Sequence, residues 1–370
     1  MRSLQLPFYA KAALVFIAGY AFVYALYLAQ NIIVPIVYAT LIAILLNPLV
    51  NWLVRKGFSR VLAISLSVLL VFIITALLLY FIFMQVTMFT DTYPQLKLKF
   101  AATADQMIHW VSENFNIHIR KINSWILETE NSAYNSSGLM LGRTLLGLGS
   151  TFVILLLLPV YLFMILFYKT LLREFINRLF RIEFHAVVAE ILLSAKRIVH
   201  GYLMGLLLEA LVIAVLNSIG LLILGIEYAI ILGVTGALLN VIPYIGGAVA
   251  IALPMIIAFV TKDSLSYPIL ILCIYLFIQF VDNHYIIPMV VASKVKINAL
   301  VSVIVVLAGG ALWGIPGMFL SIPLTAILKV IFDHIDSLKP WGFLLGNIIP
   351  VGKKTGVPGS HKSISSHKAG

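Results

Sequence analysis

Long apolar runs separated by short polar breaks set the plan of the chain. The first extends from Lys11 to Leu28, and Gln30-Asn31 divides it from a second, Ile32 to Val54. Pro35 then falls in the first turn of a helix, where a missing amide hydrogen costs little. The basic loop Arg55 to Arg60 leads into a third run that reaches about Met84. Leu145 to Phe167 makes a fourth, kinked at Pro159, and Gly201 to Leu224 a fifth. Ser266 reads as the cap of a sixth span, with Pro268 in its first turn and its end near Pro288. Runs of this length, without short segments of alternating polar and apolar residues, predict helices rather than an outer-membrane barrel.

Two further apolar stretches are broken in their middles. Ile231 to Phe259 is interrupted by Asn240, Pro243, Gly246 and Gly247, and Ile297 to Phe332 by Gly309, Gly310, Trp313, Gly314, Pro316 and Gly317. The halves of the first, roughly 14 and 16 residues, make roughly 21 and 24 Å of helix and fall short of a hydrocarbon core of about 30 Å. Non-helical backbone is tolerated at membrane depth only where protein or a water-filled cavity satisfies its amides, so the breaks point to an internal site. Each stretch either crosses once as a kinked helix or dips in and returns; placing Lys294 and Lys296 in the cytoplasm favours the return. The expected fold class is all-α, a polytopic helical membrane protein with about six full spans plus two broken, re-entrant helical hairpins.

The segments between are polar. From Asp91 to Arg143 acids and bases cancel, as suits an extracytoplasmic region, and its apolar residues suggest amphipathic helices anchored at the interface by Trp110 and Trp125. Lys169, Arg173, Arg178, Arg181, Lys196 and Arg197 lie on a helical stretch whose charge places it inside. The tail, Val351 to Gly370, reads as disorder, and His361 and His367 are too scattered there for a metal. The expected divisions are residues 1–90 (transmembrane helices 1–3), 91–143 (polar amphipathic segment), 144–200 (transmembrane helix 4 and a cytoplasmic helix), 201–335 (core with both hairpins) and 336–370 (cytoplasmic tail).

Composition sharpens this picture. The 370 residues are 62% hydrophobic and 11% charged, with a mean hydropathy of +1.08, more apolar surface than a soluble protein of this size can bury. A net charge of +11 would suit nucleic acid, yet the Lys and Arg residues sit in short loops and at helix ends. That is the positive-inside asymmetry of a membrane protein, and it puts both termini in the cytoplasm. The single cysteine, Cys273, forms no intrachain disulfide and reads as packing. No small-residue cleavage site follows the first run, which therefore reads as a retained helix.

Candidate chemistry is confined to a few intramembrane polar residues. Asp282-Asn283-His284 lies between apolar runs, and an ionisable group at such depth costs roughly 3 kcal/mol, which makes it a functional candidate. Asp282 either binds a cation or proton, with His284 or Lys294 as partner, or pins the neighbouring hairpin through hydrogen bonds. Glu209 is the other isolated acid; it faces a cavity, pairs with a neighbouring helix, or snorkels to the boundary. Asn217, Asn240 and Gln279 suit hydrogen bonds across helices, and Asn240 immediately precedes the Val-Ile-Pro-Tyr break, where unwound backbone and the Tyr244 hydroxyl would be open to a polar ligand. Gly246/Gly247 and Gly309/Gly310 serve such a turn or simply close helix packing. The chain has no P-loop, HExxH pair, cysteine cluster or GxSxG, so no enzyme, cofactor or nucleotide hydrolysis is expected.

Three stretches carry a family pattern: LLNPLVNWLVRKGFSR near residue 46, LGIEYAIILGVTGALLNVIPYIGG from Leu224, and QFVDNHYIIPMVVASKVKINALVSVIVVLAGGALWGIPGMFLSIPLTAILKVI from Gln279. With these the chain resembles the autoinducer-2 exporter family of permeases over nearly its whole length. The positions matching the motifs are Asn240, Pro243, Tyr244, Gly246, Gly247, Asp282, Pro288, Gly310, Gly314 and Gly317. The resemblance implies a multi-pass protein of the bacterial inner membrane that exports a small polar solute such as autoinducer-2, assembles as a homo-oligomer, a pentamer, and moves its hairpins in alternating access. From the residues themselves the expected substrate site is Asn240, Pro243, Tyr244, Gly246, Gly247, Gly309 and Gly310, with proton or sodium coupling at Asp282 and Glu209. Where many members place a basic residue after Pro288 this chain has Met289, which argues against an anionic ligand contact there. Two alternatives stand beside export: a sodium/proton antiporter, since relatives are associated with that exchange, and a membrane scaffold without transport.

Overall fold

The computed structural model describes residues 7–115, 157–241, 245–262, 264, 266–292 and 295–347, and every named element among them is helical. In chain order these are α1 (Phe8–Leu28), α2 (Gln30–Arg55), α3 (Arg60–Phe115), α4 (Leu157–Phe167), α5 (Lys169–Leu179), α6 (His185–Ile223), α7 (Ala229–Asn240), α8 (Ile245–Thr261), α9 (Ser266–Val281), α10 (Ala299–His334) and α11 (Lys339–Leu345). Two π-helical turns, Asp282–Ile286 and Pro288–Ala292, carry α9 onward. The protein is an all-α polytopic membrane protein. Six of its described helices are long and apolar enough to cross a membrane: α1, α2, the Arg60–Phe81 part of α3, Ile182–Ile223, Ser266–Val291 and α10.

Several boundaries differ from the sequence expectation for identifiable reasons. The helix α2 starts at Gln30, so Pro35 sits one turn deeper than expected, fully buried. No breaker other than Pro94 follows Met84, and α3 continues through polar residues to Phe115, a helix of 56 residues or about 84 Å. Its polar end reaches the core, for Lys99 Nζ donates to the carbonyls of Val260 and Lys262 at 3.1 and 2.7 Å, completing the C-terminus of α8. The α9 helix begins at Ser266 itself, whose amide donates to Ser264 Oγ at 3.2 Å, so the earlier serine supplies the polar start. The fourth span is described only from Leu157 onward. Trp125, the region beyond Phe115 and the tail after Asn347 lie outside the described residues.

Both broken stretches turn back on themselves. At the first, α7 packs along α8, and a Cβ added to Gly246 would collide with the carbonyl of Leu239 on the other limb. Its open end is fixed where Ile226, before α7, packs with Ile257 and Ala258 of α8 in one buried cluster, and Gly225 lies beside Lys262. At the second, α10 leaves helical geometry at Trp313 and Gly314, the latter with φ 63°. A Cβ at Gly309 would meet the Gly317 carbonyl and lie 3.1 Å from Ser321 Cβ. Residues eight and twelve positions apart would be separated by about 12 and 18 Å in a straight helix, so the limbs are antiparallel. The open end closes through Asn298, which donates to the carbonyls of Leu344 and Gly346 at 2.7 and 3.1 Å, while Gly342 packs on Asp333. The Ser266–Val291 helix, long and apolar enough to cross a membrane, lies between the two hairpins in the chain.

Three buried clusters hold this arrangement. Leu41, Tyr202, Val291 and Leu320 join α2, α6 and the second hairpin; Leu221, Leu232, Ile257 and Tyr275 join α6 to the first hairpin and α9; Ala39, Ile64 and Leu162 join α2, α3 and α4. By contrast α1 buries no side chain, as an apolar helix can only in lipid or under a partner. It touches the second hairpin chiefly through its far end, where Trp313 Nε1 donates to the Leu26 carbonyl at 3.1 Å.

Candidate functional site

Helical spacing collects the polar residues of three spans at one place. On α6, Glu209, Ile213 and Asn217 recur every fourth residue; on α9, Tyr275, Gln279 and Asp282 follow the i, i+4, i+7 stripe; on α7, Gly233, Gly236 and Asn240 share a face. Glycines let these faces meet. Ser218 enters the space left by Gly233, and the Asn217 amide and Tyr275 hydroxyl crowd Gly236, at 3.2 and 3.4 Å from where a Cβ would stand. On α8, Gly247 leaves room for the Gln279 and Asn240 side-chain oxygens, at 3.3 and 3.6 Å from its absent Cβ. Between them lies a small cavity of about 240 Å³ empty volume, open side included, lined by Asn217, Asn240, Gly247, Tyr275, Gln279 and apolar neighbours. The room left free among these side chains is about that of a single water molecule, so a larger occupant requires the faces to part.

The end of the first limb is tied to the crossing span by one polar bond. Asn240 Nδ2 donates to Asp282 Oδ2 at 3.0 Å. Asp282 is completely buried, and among the described residues its Oδ1 has no hydrogen-bond partner; nor, among them, do the buried Asn217 Oδ1 and Tyr275 hydroxyl. An unpaired buried polar atom costs about 1–3 kcal/mol, so such atoms, two of them on residues lining the cavity, are expensive unless water, a cation or a ligand engages them. Glu209, 7% exposed, is near enough for the Asp282 charge to act on it. The Asp282 turn is π-helical, a local widening that helix energetics disfavour and that recurs at functional sites.

The remaining sequence candidates fall elsewhere. Gly246 forms the tight return of the first hairpin, while Pro243 and Tyr244 lie outside the described residues. Gly309 and Gly310 pack against Gly317 and Met318 at the return of the second hairpin and do not line the cavity. His284 turns away from Asp282, stacking on Phe280 with ring centroids 4.2 Å apart and its Nδ1 3.0 Å from that residue's carbonyl. Lys294 lies outside the described residues. Tyr275 and Gly236 belong to the cavity without having been singled out in the sequence; the spacing of Tyr275 to Gln279 and Asp282 is the signal that marks them.

A family model described as AI-2E family transporter matches residues 14–337, which includes both hairpins and every residue of this site. The chain belongs to the AI-2E transporter family. Its relatives include the "Putative transport protein YrrI" of Bacillus subtilis (strain 168), 27% identical over 82% of this chain and 87% of that protein. The "AI-2 transport protein TqsA" of Escherichia coli (strain K12) is 27% identical over 86% of this chain and 91% of its own. The "Putative transport protein YhhT" of the same organism is 26% identical over 90% and 92%. AI-2E membership and the apolar helices together make this a multi-pass membrane transporter for a small solute.

Proposed function

We propose that the chain exports a small polar solute of the autoinducer-2 type across the bacterial inner membrane, binding it at the return of the first hairpin and passing it on as the two hairpins alternate in access. Asn240, Gly246 and Gly247, with Pro243 and Tyr244 completing the turn, form the substrate site in this reading; Gly309 and Gly310 give the second hairpin its tight return and take part as that hairpin moves. The single observation that carries the reading is the cavity beside the Asn240–Asp282 bond, lined by Asn217 and Tyr275, whose Oδ1 and hydroxyl have no partner among the described residues. A polar solute would satisfy those atoms, and the name of TqsA supports autoinducer-2 as the type of solute. The two hairpins supply two gates, and the largely exposed α1 and α3 supply surface for a homo-oligomer, pentameric on the family resemblance.

Sodium/proton exchange is the second reading, favoured by one observation: Asp282 and Glu209 are buried acids within electrostatic reach of each other. Such a pair holds one proton or one cation more readily than two charges. Efflux from proteoliposomes of the purified protein, followed for autoinducer-2 and with a pH-sensitive dye, with and without a sodium gradient, separates the two. Solute movement supports export. Sodium-dependent proton movement without solute movement supports the antiporter and sinks the export reading.

A further inference from the structure

Away from the transport cavity, at the membrane boundary where α2 and α4 end and α3 begins, three cations from different elements are held together. Lys169, the first residue of α5, directs Nζ at Asn47 Oδ1 and Asn51 Oδ1 in the last turns of α2, at 2.8 and 3.4 Å. Arg60, opening α3, donates from one Nη to the carbonyls of Leu166 and Phe167 at 3.3 and 3.1 Å, completing the C-terminus of α4. Burial first, and then the charges of Arg60 and of Lys196 on α6, hold the Lys169 ammonium below its ordinary value. Among the described residues the ion pairs are Arg178–Glu174, Arg181–Glu183, Lys329–Asp333, His334–Glu190 and Lys339–Asp336, and none involves these three.

Such a cluster is unfavourable as it stands: three like charges are fixed in place with no carboxylate to offset them. Two neutral asparagines and two main-chain carbonyls position the cations without neutralising them, and leave one ammonium hydrogen and the other guanidinium donors unused. The surroundings are those of a lipid headgroup region. Trp52, 51% exposed, lies under Lys56 at 5.6 Å, and Phe58 is exposed beside it. The α5 helix presents Leu171, Leu172, Phe175 and Leu179 on one unpartnered face, with Arg173 and Arg178 elsewhere on its surface, the pattern of a helix lying in the interface.

We propose that Arg60, Lys169 and Lys196 bind the headgroup phosphate of an anionic membrane phospholipid, with α5 seated in the same leaflet beside it. The phosphate offsets the mutual repulsion of the three cations and fastens the ends of α2 and α4 to the body of α6 through one lipid molecule. The site is independent of which solute is transported.

The test is a lipid titration of the detergent-solubilised full chain, followed by its thermal midpoint. Phosphatidylglycerol should raise the midpoint and phosphatidylcholine should not. Lys169→Gln/Lys196→Gln should need roughly tenfold more phosphatidylglycerol or more for the same rise. Lys262→Gln, on the opposite face, should need no more than the wild type. Lys196→Gln alone, whose side chain makes no hydrogen bond among the described residues, gives the same reading if the double variant is poorly folded. Equal responses to the two lipids, or an unchanged response in the Lys196 variant, would overturn the proposal. So would inorganic phosphate stabilising as well as the lipid, which would make this a site for a soluble anion.

Discussion

Asn240 and Asp282, 42 positions apart in sequence, share a hydrogen bond of 3.0 Å that joins the return of the first hairpin to the span crossing beside it. The bond is asymmetric in what its loss would cost. Asn240→Ala leaves the buried carboxyl without its donor and should lower stability by about 2 kcal/mol. Asp282→Asn keeps an acceptor for the Asn240 amide and should lower it by less than half as much, on the order of 1 kcal/mol or below. Thermal midpoints of the two purified variants check the order, and equal losses would mean that the bond is not what holds the turn.

Gly246 and Gly247 should behave differently although they are adjacent. An alanine at Gly246 collides with main chain at Leu239, which cannot yield, so Gly246→Ala should reduce the amount of folded protein in the membrane. At Gly247 the nearest atom is the Gln279 side-chain oxygen, 3.3 Å away on a movable chain, so Gly247→Ala should fold and instead fill part of the cavity. Membrane yield and flux measured together separate the two; a Gly246→Ala protein made at wild-type level would contradict the tight return.

The tip of the second hairpin should be loosened by the loss of one hydrogen bond. Trp313→Phe removes the donor to the Leu26 carbonyl, worth about 1 kcal/mol, and keeps most of the ring packing. Amide exchange in the segment around Trp313 should quicken while the limbs stay protected. Unchanged exchange would show that α1 does not restrain the tip. Gly314→Ala, at φ 63° and ψ −146°, imposes a conformation nearly restricted to glycine and should cost on the order of 1–3 kcal/mol.

Lys169 gives a pH dependence of definite sign. Its folded-state pKa lies below the ordinary 10.5, because burial and the charges of Arg60 and Lys196 oppose its ionisation. Between the lowered value and 10.5 the unfolded chain therefore binds more protons than the folded one, so stability from this group rises with pH through that window. Below the window the penalty is fully present. The stability difference between wild type and Lys169→Gln should shift in favour of the wild type as pH is raised into the alkaline range, and a difference independent of pH would contradict the repulsion.

Much of this molecule could be read from the chain because glycine and proline act locally. The breaks at Asn240 to Gly247 and at Gly309 to Gly317 marked both hairpins, and the isolated acids marked the depth of the site. What escaped the reading depends on relations between elements. The continuation of α3 to Phe115 runs through a polar stretch with no breaker but Pro94, where hydropathy alone suggests an end. The cavity required the faces of α6, α7 and α9 to be superposed, and Tyr275 has no meaning until Gly236 is known to lie against it. Gly309/Gly310 read either as part of an unwound turn or as close helix packing; in space Gly309 lies against Gly317 where the two limbs return.

The most direct measurement is the initial rate of autoinducer-2 efflux from proteoliposomes holding equal amounts of folded wild-type or Asn240→Ala protein. If Asn240 and its neighbours bind the solute, losing a contact of about 2 kcal/mol should slow efflux roughly 30-fold while the reconstituted protein stays folded. A variant that transports at the wild-type rate would place the solute path elsewhere and leave the Asn240–Asp282 bond a purely structural tie.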